Sequence, residues 1–217
     1  MGFWNFKSKK NNEESTSKKR IEITTDLEWI ELENFINQFV KIKSSLDDGK
    51  VLILEFIKNK FPDFNSDFLN DIDFHKIQSD FIDWIKIPLS KTPPNTNIIS
   101  YYFGLFKSSD PKISENESEI TVIYITGSEI SPKDDEDWAL EADYSPSERY
   151  CVLPSYSKID NELSKYKNNS DIEQILFNGI TNLILVNTLE TLKSLIGKEN
   201  INIGSGFDSG DCFMIEQ

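Results

Sequence analysis

Cationic side chains are in short supply in this chain: 23 lysines and arginines stand against 37 aspartates and glutamates, a formal charge of −14. Proteins that bind a nucleic-acid backbone do so with clustered Lys and Arg that displace counterions, and anionic membrane surfaces recruit the same residues. The composition argues against both. Histidine is almost absent. The sole copy, His75, cannot build a multi-histidine zinc site, and Cys151 and Cys212 neither complete one nor supply a disulfide framework, although a single bridge between them stays open. No apolar run approaches the length of a membrane span. The opening Met1-Gly-Phe-Trp-Asn-Phe6 lacks the apolar core and small-residue cleavage site of a signal peptide, and Phe6 stands where myristoylation wants Ser or Thr. The expected compartment is the cytoplasm, with no cofactor, no metal, no nucleic acid and no membrane.

What is present is a chain of 217 residues rich in phenylalanine, long enough to bury a core. Residues 1–20 read as a disordered polar tail, since their composition buries too little to offset ordering. The tail takes six basic residues and two acids, leaving 17 bases against 35 acids in 21–217, a formal −18. That remainder reads as a single α+β domain, a largely antiparallel sheet packed with three to four helices. Thr25 and Glu28 have capping-box spacing, and Leu32, Phe35, Ile36, Phe39 and Val40 recur at helical intervals, predicting a helix over 26–43. Asp47-Asp-Gly-Lys50 is a turn signal, after which residues 51–57 fit either a buried strand or a helix, and Glu55, Lys58, Asn59 and Lys60 favour a helix continuing to Phe61-Pro62. A third helix is predicted from Phe74 to Ile87, stopped by Pro88.

Beyond residue 95 the period shortens. Residues 97–106 and 119–126 are rich in β-branched and aromatic side chains and predict an antiparallel pair. Further strands are expected at Trp138–Asp143 and Tyr150–Leu153. Ser170 and Glu173 form a second capping-box pattern opening a long helix whose core face is Ile172, Ile175, Leu176, Ile180, Leu183, Leu192 and Leu195, with Gly197 suited to its C-terminal cap. Residues 201–203 and 212–215 predict a closing hairpin around a Gly/Ser/Asp turn.

Catalytic signatures are weak. His75 could serve as a general base only with an orienting group and a nucleophile, so a structural or surface histidine is the plainer reading. A thiol dyad of Cys151 and His75 would need a coincidence of folding. The run Asp134-Asp-Glu-Asp137 lacks the alternating ligands, central Gly and distal Glu of a calcium loop. Gly204-Ser-Gly-Phe-Asp-Ser-Gly-Asp211 lacks the Gly-Lys-Ser/Thr ending and following helix of a phosphate loop, so Asp208 and Asp211 read as turn residues beside the acidic stretch.

That stretch carries the functional expectation. Between Glu129 and Asp143 seven carboxylates face one lysine, with Trp138 and Tyr144 interleaved. The bland interpretation is a solvated loop next to packed aromatics; the sharper one is a contact surface, because aromatics supply large contact area at low entropic cost. The candidate partner-binding residues are Asp134, Asp135, Glu136, Asp137, Trp138, Glu141, Asp143, Tyr144, Asp208 and Asp211, and no catalytic residue is assigned. Phe103-Gly-Leu-Phe106, Tyr124-Ile-Thr-Gly-Ser128, Asp134-Asp-Glu-Asp-Trp138, Asp143-Tyr-Ser-Pro146 and the closing Gly206-Phe-Asp-Ser-Gly-Asp211 together resemble a group of poorly characterised bacterial cytosolic proteins, some of which look like immunity proteins of polymorphic toxin systems. That resemblance implies a non-enzymatic module binding a basic protein partner such as a toxin or nuclease domain. In this expectation Trp138 is an anchor and Asp134, Asp135, Glu136 and Asp137 pair with the partner's Lys or Arg. A small carboxylate-dependent hydrolase and a structural, oligomer-forming module remain the alternatives.

Overall fold

A computed structural model describes residues 20–23, 27–110, 119–140, 142–208 and 212–216. Residues 1–19 of the expected tail (1–20) and the capping residue Thr25 lie outside them. Helix α1 (Trp29–Ile42) buries Leu32, Phe35, Ile36 and Phe39, the predicted face, and ends where Lys43 turns left-handed. Helix α2 (Leu46–Lys60) begins earlier than its sequence suggests. The Asp47-Asp-Gly-Lys50 run, turn-like by composition, is its first turn: Ser45 accepts a bond from the Asp48 N–H at 3.2 Å, and Asp47 and Asp48 sit at the positive end of the helix. Gly49 is buried there because a Cβ would lie 2.4 Å from Leu183 Cδ1.

A 3₁₀ turn (Asp67–Asp71) leads to α3 (Phe74–Lys91). Pro88 does not stop α3. It removes a single hydrogen bond in the last turn, and burial of Pro88 and Leu89 offsets that loss. An additional helix, α4 (Pro154–Leu163), has no counterpart in the sequence expectation. Its signals were local: Pro154 in the first turn, then Tyr156, Ile159, Asp160 and Leu163 on one buried face.

Helix α5 (Ser170–Ile196) differs in kind. Burial extends beyond one stripe to Phe177, Asn178, Thr181, Asn182, Ile184 and Leu185, because α1, α2 and α3 pack on one side and strands on the other. Leu195, expected in the core, is exposed. The capping box is not formed: Asn169, not Ser170, occupies the N-cap, and Glu173 accepts from the Asn169 side-chain amide at 3.3 Å, while Gly197 does close the helix at φ 77°. Among the described residues α5 is the one helix long and apolar enough to cross a membrane, which corrects the expectation that no run approaches that length. Its apolar window is 78% buried inside the fold, as in a core helix.

The chain is α+β, with a mostly antiparallel main sheet. That sheet runs in the order β4 (Tyr150–Cys151), β3 (Ile120–Ser128), β2 (Ser100–Ser108), β6 (Asn202–Phe207), β7 (Phe213–Glu216). Every neighbouring pair is antiparallel except β2–β6. The predicted pairing of β2 with β3 and the closing hairpin are both present. A small parallel pair joins β1 (Ile21–Glu22) to β5 (Tyr166–Lys167). Among the described residues no strand forms at Trp138–Asp143: residues 138–140 are turn, and Tyr144 makes an isolated bridge to β3.

One ion cluster ties the helical layer to the sheet. Asp160 of α4, 6% exposed, accepts from the Thr121 backbone N–H at 2.5 Å, from the Thr121 hydroxyl at 3.0 Å and from Lys107 at 2.5 Å. Lys107 also lies 3.3 Å from Glu173 and 5.0 Å from the centre of the Phe177 ring. Burial pushes the Glu173 carboxyl above its ordinary value of 4.5, against the attraction of Lys107. Lys107→Met should cost about 3–5 kcal/mol in urea unfolding, because it leaves the buried Asp160 charge uncompensated; adding Asp160→Asn should recover part of the loss. Burial makes ionised Glu173 unfavourable, so its contribution is intact below the unfolded carboxylate value and lost as pH rises through the raised one. Glu173→Gln should therefore melt higher than the parent at neutral pH, with the difference vanishing in acid; a lower melting temperature at neutral pH would show that Lys107's attraction wins.

Candidate functional site

Strand alternation sends Tyr101, Phe103 and Leu105 of β2 toward the helices, where Phe103 meets Phe81 of α3 at 5.5 Å between ring centres. The same alternation puts Tyr102, Gly104 and Phe106 on the opposite face, opposite Tyr124 and Thr126 of β3 and Gly204 and Gly206 of β6. Gly104 has no side chain for a reason: a Cβ would lie 2.1 Å from Cζ of Tyr124, whose ring crosses it. The Tyr124 hydroxyl donates to Asp208 at 2.5 Å and the Tyr102 hydroxyl to the Gly206 carbonyl at 2.9 Å. Both phenols are pushed well above their ordinary range, chiefly by burial, and that of Tyr124 also by its bond to Asp208.

The acidic segment lies over one end of this face as a closed loop, residues 128–143. Its two ends are pinched together by reciprocal backbone bonds of 2.9 Å between Gly127 and Tyr144. Tyr144 turns to the helical side, edge-on to Tyr101, and donates its hydroxyl to the Thr92 carbonyl at 2.8 Å; burial pushes that phenol up to about 12. Trp138 turns to the other side, edge-on to Tyr102 at 6.2 Å, with Cζ2 3.1 Å from where a Gly204 Cβ would stand. The loop thus straddles the end of the sheet with one aromatic pinned on each side. Inside it, the Asp134 and Asp135 N–H groups donate to the Ser131 carbonyl, and the Asp137 N–H to Asp135 Oδ1 at 2.9 Å. These local bonds replace a strand ladder.

Several expected site residues converge. Asp134, Asp135, Glu136 and Asp137 are exposed, and none forms an ion pair with a described residue. Glu136 and Asp137 line a groove of about 380 Å³ together with Asp208, Tyr102, Tyr124 and Leu140. Asp208, distant in sequence, therefore does lie beside the acidic run. Asp143 is exposed, but its carboxylate is committed inward, accepting from the Glu129 N–H at 2.9 Å and the Ser128 hydroxyl at 3.3 Å. Glu141 and Asp211 lie outside the described residues.

Two expectations need correcting. Trp138 is 2% exposed and Tyr144 6%, so neither presents an aromatic face to a partner; both fix the loop to the scaffold. The exposed apolar residue of the loop is Leu140, at 76%. The flanking aromatics of the groove, Tyr102 and Tyr124, are not among the expected site residues. Their signal was the alternation Tyr102-Phe-Gly-Leu-Phe106, with bulk and a glycine on the face that no helix covers.

The remaining candidates separate. No disulfide joins Cys151 and Cys212. Cys151 is buried, its thiol pushed up by burial, whereas His75 is exposed at the start of α3, 3.2 Å from Asp47, so no thiol dyad forms. Among the described residues no three His, Cys, Asp or Glu side chains converge as metal ligands. No protein-family profile, curated protein or solved structure matches the chain.

Trp138→Ala should lower the stability of the isolated chain by about 3–5 kcal/mol or release the loop to protease, as removal of a buried tryptophan does. An unchanged melting temperature and cleavage pattern would return Trp138 to the surface role.

Proposed function

We propose that the chain is a non-enzymatic protein-binding module whose acidic loop docks a basic protein partner, with inhibition of a cationic toxin or nuclease domain as the specific role. The observation that carries this reading is the pinned loop: four adjacent carboxylates without ion-pair partners among the described residues, held by Trp138 and Tyr144 on a rigid sheet. Unpaired charge on an ordered surface favours association with opposite charge, because its field steers the encounter and little conformational entropy is lost on docking. The groove beneath extends the same chemistry. Glu136, Asp137 and Asp208 line it and the rings of Tyr102 and Tyr124 flank it, so it suits a lysine or arginine side chain both electrostatically and through its ring faces. Exposed Leu140 adds apolar contact at the rim.

A second reading, a small carboxylate-dependent hydrolase, finds support in a different place. A cavity of about 390 Å³ is lined by Lys107, Asp160, Glu173, Glu119 and Asn169, with the Glu173 carboxyl raised by burial as a general acid would require. Each of the three central charges there already has a partner within the fold, which suits a structural cluster better than a reaction centre.

The test is co-expression with a secreted, cationic toxin domain encoded beside the chain's own gene. The chain should relieve its toxicity, and Asp134→Asn, Asp135→Asn and Asp137→Asn together should slow association at least about tenfold and abolish most of its salt dependence. A triple variant that protects and associates like the parent, or a gene surrounded by metabolic enzymes alone, would sink the proposal. Loss of a hydrolytic activity on Glu173→Gln, with the loop variant unaffected, would favour the second reading.

A further inference from the structure

On the far side of Tyr124 and Asp208 from the acidic groove lies a cavity of about 250 Å³ with a different character. Three rings form its aromatic wall. Phe106, Tyr124 and Tyr150 meet pairwise, with centres 5.9, 5.6 and 6.5 Å apart. Asp208 supplies a carboxylate, fixed by the Tyr124 hydroxyl. Arg149 supplies a guanidinium lying 4.8 Å from the Tyr150 ring centre and donating to the Ser145 hydroxyl at 2.6 Å and the Tyr150 hydroxyl at 2.8 Å.

Asp208 and Arg149 line the same cavity, yet they form no ion pair with each other or with any other described residue. Each is held by neutral hydroxyl partners. Each therefore keeps capacity to spare: Asp208 has its second oxygen, and the Arg149 fork has N–H groups beyond the two that are bonded. A simple cation entering here would be repelled by Arg149, and a simple anion by Asp208. A ligand carrying both charges meets neither penalty, and the ring wall offers a stacking surface for a flat, apolar body.

We propose that this cavity binds a small zwitterion, a free α-amino acid with an aromatic side chain. The ligand's ammonium faces Asp208, its carboxylate faces Arg149 and its ring packs against Phe106, Tyr124 and Tyr150. The cavity is of amino-acid size, and a second charged group held ready on each side fixes the ligand's orientation. The site does not depend on the chain's having a protein partner, although Tyr124 and Asp208 also belong to the acidic groove.

Calorimetric titration of the full chain with L-phenylalanine, with phenethylamine (which lacks the carboxylate) and with hydrocinnamate (which lacks the ammonium) tests this. Phenylalanine should bind at least about tenfold more tightly than either analogue. Arg149→Gln should bring phenylalanine down to the level of the amine, and Asp208→Asn down to the level of the acid, with circular dichroism confirming the fold of each variant. Either variant alone decides the matter if the other does not fold. Absence of saturable phenylalanine binding at millimolar concentration, equal affinity for the three compounds, or unchanged phenylalanine affinity in a folded variant would overturn the proposal.

Discussion

Everything in this fold is arranged around the burial of α5. A helix that is apolar on one stripe can lie on a surface, but α5 is enclosed on nearly every side, so the chain must wrap it. Helices α1, α2 and α3 take one flank and strands β6 and β7 the other. The cost is polar: Asn178 and Asn182 are buried with side-chain oxygens that accept no bond, while their amide groups bond within the helix. The apolar surface that α5 hides along with its neighbours outweighs those two unmet acceptors.

Committing the helices to α5 gathers them on one side of the sheet. The other side has to be covered by something else, and over one end that is the acidic loop. Hydrophobic burial and charge presentation are joined here, since the indole that covers Gly204 also fixes the carboxylates beside it. The rest of the bare face keeps its aromatic side chains and a pair of opposite charges, Asp208 and Arg149, apart from one another. The proposed recognition surface and the incomplete coverage of the sheet are thus the same feature seen from two directions.

Periodicity made α1, the bulk of α2 and α3, and the β2–β3 pair legible, because each depends on contacts within a short stretch of chain. Gly49 misled because a glycine among aspartates is locally a turn, and only the approach of Leu183 from α5 explains it inside a helix. Asp160 went unnoticed for a similar reason. A carboxylate on the apolar face of a short helix makes sense only once Thr121 and Lys107 are brought to it. In the acidic stretch, composition marks the carboxylates that the fold leaves exposed but not the direction of the aromatics. Whether Trp138 faces water or Gly204 is settled by chain segments far apart in sequence, as is the meeting of Tyr124 with Asp208.

The pinch between Gly127 and Tyr144 has one more consequence. Because the loop leaves and re-enters the scaffold at a single bridged pair, closing a longer segment over the same gap adds little entropic cost, provided that Trp138 keeps its seat on Gly204. Substitutions at the exposed positions between those two points can remodel the surface while β3 keeps its register. Such an arrangement allows the proposed binding face to diverge rapidly on an unchanging frame, much as an interchangeable fitting is swapped on a fixed mount.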